Sequence, residues 1–496
     1  MYNIFLFTNN WFYFLPEIYF FLFSSFIFFI VLFFILPVRN FYYYYSKYLL
    51  ITFLIFTIFL LHFLWNNSIF YFIFDYFFSS NYIDFLTKFL FILFLGVFLW
   101  IFKNYFFIKV FFITEFFLLF VFSILGLFLI FSSNDFLNFY LSLELYSLSI
   151  YGVMSVIKNS PILIESALKY FVISSTSSGI LIFGISLIYY FTGSINFYDL
   201  NLFVSHFNLS ESPNKLYFLI AVFLIFSSLL IKISVAPFHV WYIDVYANTL
   251  QILNLFFLIL PKFVFLSFLL KVYMLFLFFN YFYIKFFIYI FFLLFCLFFG
   301  SFGAIYQTNI RKILIYSSVF NLCFFLSLFN FLTNYSIIIF FLFSFIYFTN
   351  VFSTFVFINS LINYTNLKFF KSLNSLINFF SSYPAFSFYS AAIFLSSAGL
   401  PPFIGFFSKF LVFLHLINLN FFIIFILLFV FSIFSFFYYI RFIKVFFVNN
   451  FKNFIFLLPV HFNNAFLIVN FSYFNIVLYF FFPFLFLFLN LLFNWV

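Results

Sequence analysis

Long apolar runs, each bounded by polar or charged residues, recur from one end of the 496-residue chain to the other. Each run matches the ~20 residues that an α-helix needs to cross a bilayer. A transmembrane barrel would instead show strands of about ten residues with alternating polarity, and that pattern is absent. The pattern therefore predicts an all-α polytopic membrane protein of about fourteen spans. Their approximate cores are 17–37, 49–65, 89–107, 111–131, 136–157, 163–190, 216–250, 252–279, 282–304, 313–329, 336–361, 386–417, 421–439 and 465–492.

The composition excludes a soluble enzyme, because 68% of the residues are hydrophobic and only 6% are charged. Soluble domains carry about 25% charged residues. The 117 phenylalanines, with few Gly and Pro, are typical of an AT-rich genome and favour a small organellar one. The start of the chain lacks an Arg-rich amphipathic presequence, which agrees with synthesis inside an organelle. Cys296 and Cys323 lie in apolar runs, so their spacing predicts no disulfide framework, iron–sulfur cluster or zinc site.

Basic residues predict the orientation, because Lys and Arg are enriched in loops on the side of synthesis. Loops after odd-numbered spans hold 12 basic residues, loops after even-numbered spans hold 4, and the other four of the 20 lie inside spans. Odd loops are therefore expected to face the interior, which is the matrix in a mitochondrion, with both termini on the other side, the intermembrane-space side in that case. All ten acidic residues lie at or before Asp244. The excess of positive charge is explained by the loops, and nucleic acid is not a predicted partner.

Four lysines sit inside spans: Lys169, Lys232, Lys262 and Lys409. A charged side chain near the bilayer centre costs about 2.5–3.5 kcal/mol on insertion scales and usually marks an ion or proton path. Lys169 has an ordinary explanation, since Glu165 precedes it by one helical turn and predicts an i,i+4 ion pair. The other three lie deeper, and a functional role is favoured for them.

Glu144 lies in the middle of its span without a basic residue nearby in sequence, so it needs a partner from another helix. Lys232 is the obvious candidate. Glu115, near the start of a span, is equally well explained as an interfacial residue. Solvation at span ends or in loops is the expected state of the remaining acids, which are Glu17, Asp75, Asp84, Asp135, Asp199, Glu211 and Asp244.

Prolines predict broken helices in the seventh and twelfth spans, at Pro237 and at Pro401 and Pro402. Corresponding breaks in two halves of a chain indicate inverted repeats. Two five-helix repeats, spans 4–8 and 9–13, fit this spacing, and Pro261 is expected to open the eighth span similarly. His239, beside the first break, is a candidate relay group. The predicted domains are helices 1–3 (1–109), the first repeat (110–280), the second repeat (281–446) and helix 14 (447–496).

Five stretches together resemble the subunit 2 family of respiratory complex I, whose bacterial members are called subunit N, one of three antiporter-like membrane subunit types. They cover roughly residues 110 to 445 and are LSLELYSLSIYGVMSV, IESALKYFVISSTSSGILIFGISLIYYFTGS, IKISVAPFHVWYIDVY with LPKFVF following, RKILIYSSVF and SSAGLPPFIGFFSKF. The resemblance departs at Asn321, where the family has a histidine. It also departs at residues 247–251, which replace a Gly/Pro-rich turn.

The resemblance implies that Glu144, Lys232, Lys262 and Lys409 form a proton path driven by quinone reduction elsewhere in the complex. It implies no cofactor in this chain, because NADH, FMN, iron–sulfur clusters and ubiquinone are bound by other subunits. The implied partners are subunit 4 on one side, subunits 4L and 6 on the other, and membrane lipids. The implied location is the mitochondrial inner membrane.

Three alternatives stay open at this stage. The first is a free-standing cation/proton antiporter with the same repeats. The second is a structural scaffold that has kept the fold without pumping, which the retained lysines argue against. The third is a sister subunit, 4 or 5. Against the third, the break reads Pro-Phe-His-Val-Trp followed by Asp244-Val245-Tyr246, and the chain ends soon after the fourteenth span without a long lateral helix.

Overall fold

A computed structural model of the chain describes eleven segments. They are residues 71–73, 78–80, 82–106, 113–156, 160–206, 214–275, 282–329, 333–360, 372–377, 379–448 and 462–494. The first two predicted spans, 17–37 and 49–65, lie outside the described residues, as do Glu17, Asp75 and Glu211.

The described residues form α-helices almost throughout. In the first half these are α1 (Tyr82–Phe106), α2 (Ile113–Ser132), α3 (Phe136–Ser155), α4 (Pro161–Thr192), α5 (Phe197–His206), α6 (Asn214–Ile233), α7 (Val240–Asn248) and α8 (Gln251–Leu275). The second half contains α9 (Phe282–Tyr306), α10 (Ile310–Phe329), α11 (Asn334–Ser360), α12 (Phe379–Ser382), α13 (Pro384–Ala398), α14 (Ile404–Asn418), α15 (Phe422–Phe447) and α16 (Phe462–Asn494). A short 3₁₀-helix, Leu373–Leu376, precedes α12.

Six of the described helices are long and apolar enough to cross a membrane. They differ in how far the protein itself covers them. The apolar stretch of α8 is wholly buried, whereas those of α4 and α15 are only 33% and 28% buried. Apolar side chains on α4 and α15 therefore face outward, as expected of helices at the margin of a multi-pass membrane protein.

The chain divides into two compact units. Unit 1 comprises the described residues up to 233 and from 248 to 275. In it α2 packs on α3, α3 on α4 and α4 on α6, while α8 contacts α1, α2 and α6. Phe139 and Phe268 stack with ring centroids 3.6 Å apart, joining α3 to α8.

Unit 2 comprises residues 234–247 and the described residues from 282 onward. The helix α11 packs against α13, α14 and α16, and α15 packs against α9 and α13. The pair α9 and α10 is especially close, because Gly300 lies where a Cβ atom would come within 2.7 Å of the Phe320 backbone. Aromatic side chains fill the unit, as in the Phe394–Phe442 stack at 4.6 Å.

Two features differ from the sequence predictions. The prediction of an all-α chain missed a small antiparallel hairpin, in which β1 (Tyr71–Ile73) pairs with β2 (Phe78–Ser80). The expected break at Pro261 is wrong, since this proline lies inside the continuous helix α8. A membrane helix tolerates a proline where neighbouring helices shield the freed backbone group, and α8 is buried on all sides.

Candidate functional site

Two interruptions of helices lie where the sequence places prolines. The first separates α6 from α7 and contains a cis Ala236–Pro237 bond. The second separates α13 from α14 and contains a cis Pro401–Pro402 bond. Broken helices leave backbone carbonyls without helical partners, and these groups are suited to bind cations. A lysine lies close to each break in sequence.

Lys232 stands in the last turn of α6, where the negative end of the helix dipole favours a cation. Its Nζ atom is buried and donates no hydrogen bond among the described residues. The Glu144 carboxylate on α3 attracts this ammonium electrostatically, yet the two form no ion pair in the described part of the chain. Glu144 is half-buried and accepts a hydrogen bond from the Ser147 hydroxyl at 3.3 Å. Glu144 and Lys232, the pair expected from the sequence, thus interact electrostatically without a direct ion pair.

Lys262 is 3% exposed on α8, the most enclosed of the membrane-spanning helices described. Its burial excludes snorkelling to a helix end, which was the ordinary explanation for a lysine in a span. Unit 1 therefore contains three of the predicted residues, Glu144, Lys232 and Lys262.

Lys409 belongs to unit 2 and faces the second break. Its Nζ donates a hydrogen bond of 2.8 Å to the carbonyl of Ala398, the last residue of α13. The same ammonium lies 6.0 Å from the centre of the Phe324 ring. Gly399 allows this approach, because it has a φ of 87° and a Cβ atom there would lie 2.9 Å from the lysine Cδ. The helix end thus binds the ammonium through a carbonyl rather than a carboxylate.

A buried polar clamp, formed by Asn350, Ser396 and Asn475, supports this helix end. The Ser396 hydroxyl donates to the Asn350 side-chain oxygen at 3.0 Å, and the Asn475 amide donates to the Ser396 hydroxyl at 3.1 Å. Helices α11, α13 and α16 are tied together in this way. Sequence reasoning missed the clamp, because single Asn and Ser residues in apolar runs do not indicate one another.

The candidate relay His239 is 5% exposed in unit 2 and packs between two aromatic rings. Its ring centroid lies 5.1 Å from that of Phe299 and 6.2 Å from that of Tyr316. Asn321, which stands where the resembled family has a histidine, is also buried and contacts the Tyr439 hydroxyl. Both residues therefore belong to the polar interior of unit 2.

One ion pair in unit 1 contradicts a sequence prediction. Asp84 was expected to be solvated, but it is buried and lies 2.6 Å from the Lys271 ammonium. Lys88, one turn along α1, is buried beside it, and Lys271 also donates to the Phe131 carbonyl. The prediction failed because these residues are far apart in sequence, and only the packing of α1 on α8 brings them together.

Asp135 is a second acid that was wrongly expected to be solvated. It precedes α3, is 3% exposed, and burial together with the nearby Asp199 raises its pKa to about 6. The expectation for Lys169 is confirmed, since it pairs with Glu165 at 2.7 Å and both side chains are exposed. Exposure of Asp199 and Asp244 also agrees with the sequence.

Comparison with known proteins places this arrangement in a family. The family model described as NADH:quinone oxidoreductase/Mrp antiporter, TM, matches residues 133–435. NADH-quinone oxidoreductase subunit N of Pelagibacter ubique is 31% identical over 305 residues, which are 61% of this chain and 62% of that protein. The subunit N of Paramagnetospirillum magneticum is 32% identical over 304 residues, with the same coverage. The chain thus spans about 62% of the length of these relatives.

Solved structures show the same fold at low identity. A chain of respiratory complex I from Thermus thermophilus, with bound aureothin, has a TM-score of 0.73 at 19% identity and covers 94% of this chain. That alignment includes 97% of the Thermus chain. A chain of the Mrp complex from Dietzia sp. DQ12-45-1b has a TM-score of 0.67 at 17% identity and covers 82% of each chain. Because the family model matches more than half of its length, the chain belongs to the NADH:quinone oxidoreductase/Mrp antiporter membrane family.

Proposed function

We propose that this chain is a proton-translocating, antiporter-like membrane subunit of a NADH:quinone oxidoreductase. In this role it couples quinone reduction elsewhere in the complex to proton transfer across the membrane. One observation carries the proposal: Lys232 and Lys409 stand beside interruptions of membrane helices, and the Glu144 carboxylate attracts Lys232 without an ion pair between them in the described part of the chain. A lysine whose partner is close but not bonded can gain and lose a proton with small movements of either group.

The proton path consists of Glu144, Lys232 and Lys262 in unit 1 and of Lys409 in unit 2, with His239 as a relay. When the Glu144 carboxylate approaches Lys232, it stabilises the protonated lysine. When the carboxylate withdraws, Lys232 releases its proton more easily. Lys409 exchanges its proton at the carbonyl end of α13. The identity of relatives named subunit N supports this assignment.

We also propose a subunit type, a location, a topology and neighbours for the chain. The chain is subunit 2 of a mitochondrial complex I, multi-pass in the inner membrane, with both termini on the intermembrane-space side. It has fourteen transmembrane helices with inverted repeats at spans 4–8 and 9–13. Its neighbours are subunit 4 and the small subunits 4L and 6. It holds no redox cofactor of its own, and NADH, FMN, iron–sulfur clusters and ubiquinone bind to other subunits. The amino-acid composition and the loop charges support this assignment.

Alanine substitution of the buried lysines tests the proposal in a bacterial complex that carries this chain in place of its counterpart. Lys262→Ala and Lys409→Ala should lower proton uptake per NADH oxidised in sealed vesicles. The matched control is Lys169→Ala, which removes the same charge from an exposed position. Native gels show whether each variant assembles. Unchanged proton uptake in fully assembled Lys262→Ala and Lys409→Ala complexes would contradict the proposal.

A free-standing cation/proton antiporter is the second candidate, favoured by the likeness of the fold to a chain of an Mrp complex. A transport assay on the purified chain alone, reconstituted in proteoliposomes, distinguishes the two candidates. An antiporter exchanges Na⁺ or K⁺ for protons without NADH, whereas a complex I subunit co-purifies with its neighbours and shows no exchange by itself.

A further inference from the structure

The turn between α2 and α3 is fixed against the start of α5. Phe136 donates its backbone N–H to the Ile195 carbonyl at 3.3 Å, and Phe197 donates to the Asn134 carbonyl at 3.0 Å. The side chains of Asn134 and Asn196 add a hydrogen bond at 3.4 Å. All of these residues belong to unit 1, so this turn is an ordered element and Asp135 at its centre has a defined position.

The Asp135 carboxylate does not perform the structural role that its position predicts. An aspartate immediately before a helix usually accepts a hydrogen bond from the backbone of the first turn. Asp135 occupies this position for α3 but forms no such bond. Its Oδ1 atom is buried and has no hydrogen-bond partner among the residues that the structure describes. A buried, unpartnered carboxylate oxygen costs free energy unless it binds a proton or water.

Asp199 is an exposed acid that interacts electrostatically with Asp135. It lies in the first turn of α5, is exposed, and repels the negative charge of Asp135. The pKa of Asp135 rises from 3.8 to about 6, mainly because the carboxyl is buried and to a smaller extent because Asp199 repels its negative charge. The protonated and ionised forms of Asp135 are therefore both populated near neutral pH.

The other charged groups near this turn are engaged with one another. Lys271 on α8 and Asp84 on α1 form their own ion pair, with Lys88 beside them. Lys271 reaches the end of α2 through the carbonyl of Phe131, four residues before Asp135. From α5, Asp199 is the charged group that faces Asp135. The elements α3, α5 and α8 meet this turn through the rings of Phe136, Phe139, Phe197 and Phe268.

We propose that Asp135 and Asp199 form a proton-exchange port at this end of unit 1, in which the buried carboxyl holds the proton and the exposed carboxylate passes it to or from water. The O–H bond of Asp135 breaks as an O–H bond forms on Asp199, directly or through a water between them, and the net charge of the pair is unchanged by this transfer. When Asp199 then passes the proton to bulk water, the pair becomes one unit more negative. This port rests on the proposed function, for which it supplies a solvent connection outside the membrane-spanning helices.

The port is tested by Asp135→Asn in the assembled complex, with Glu165→Gln as the control that removes an exposed carboxylate from the same unit. Proton uptake per NADH oxidised should fall several-fold for Asp135→Asn and remain at the level of the unsubstituted chain for Glu165→Gln. A small weak base such as imidazole should restore part of the lost uptake, which a purely structural defect does not allow. Uptake by Asp135→Asn equal to that of the control would overturn the port.

The second variant, Asp199→Asn, changes an exposed residue and leaves the packing of the turn intact. It removes the carboxylate that passes the proton to or from water, so proton uptake should fall. It also removes the smaller cause that raises the pKa of Asp135, so the pH dependence of the remaining uptake between about pH 5 and about 7 should shift to lower pH. An unshifted profile also overturns the port. Lys262→Ala, measured in parallel, separates the two claims. If proton uptake is lost in Lys262→Ala but not in Asp135→Asn, the proposed function holds and the port is wrong. If both variants keep full proton uptake, the proposed function itself is contradicted.

Discussion

Replacement of Lys271 by methionine tests whether the Asp84–Lys271 pair is as desolvated as its burial indicates. The charged atoms lie 2.6 Å apart, and the side chains of Asp84 and Lys271 are 2% and 15% exposed. Methionine keeps much of the apolar volume of the lysine stem but removes the ammonium that lies against the buried Asp84 carboxylate, and leaves Lys88 as the cation nearby. Removal of one partner from a buried pair costs about 3–5 kcal/mol, because the remaining charge stays desolvated.

The chain contains a matched control for this experiment. Lys169 and Glu165 form an ion pair of nearly the same length, 2.7 Å, but their side chains are 44% and 61% exposed. Exposed pairs spaced i,i+4 on a helix contribute about 0.3–0.5 kcal/mol. Lys169→Met should therefore cost roughly a tenth of what Lys271→Met costs. The two variants remove the same charge and differ mainly in the burial of the partner.

The assay heats membranes that carry each variant and measures, on native gels, how much of the complex keeps this chain. A domain is stable by only about 5–15 kcal/mol, so the complex with Lys271→Met should lose this chain at a clearly lower temperature than the unsubstituted complex does. The double variant Asp84→Leu with Lys271→Met should recover much of the loss, because an apolar pair replaces the buried charges. Equal and small effects of Lys271→Met and Lys169→Met would refute the reasoning and indicate that water reaches Asp84.

Three further predictions concern single positions. Gly405→Ala should prevent the approach of α14 to α13, because the added Cβ would overlap a backbone carbonyl. Gly179→Ala has open space around it and should be neutral or stabilising by up to about 1 kcal/mol. The thermal midpoint of the complex is measured for both variants. Gly399→Ala should cost more than Gly193→Ala, although both have positive φ (87° and 70°), since only the former also meets a side chain, and the same assay ranks them. Between about pH 4 and about 6, Asp135 binds more protons in the folded state than in the unfolded state, so stability should fall as pH rises through this range. Asp135→Asn should remove this pH dependence, which melting curves recorded at a series of pH values measure.

The helical architecture and the buried lysines could be predicted from the sequence because each signal is local. A charged residue inside an apolar run is visible without knowledge of its neighbours, as Lys262 and Lys409 show. The same holds for proline dipeptides, and the breaks at Pro237 and Pro402 are where the sequence places them. Pro261 shows the limit of the rule, since a proline can lie inside a continuous helix where surrounding helices shield the freed backbone group.

The polar pairs could not be predicted in the same way, because each depends on helix packing. Asp84 and Lys271 are separated by almost two hundred residues and meet only where α1 contacts α8. Asp135 stands in a loop, which favours the expectation of solvation, but the paired backbone of residues 195–197 covers it. A charge at the end of a span can thus be as buried as one at its centre, and hydropathy does not distinguish the two cases.

The hydrogen bond from Lys409 to the end of α13 has a consequence for the electrical behaviour of unit 2. Residues 245–496 contain no acidic side chain, so no carboxylate from this stretch can neutralise a proton that arrives at Lys409. The end of a helix supplies only a fixed partial charge of about −0.5. In the proposed proton path, each protonation of Lys409 therefore adds a positive charge that no carboxylate of residues 245–496 compensates. A full crossing is worth about 2.3 kcal/mol per 100 mV, so the occupancy of this site depends on membrane voltage as well as on pH.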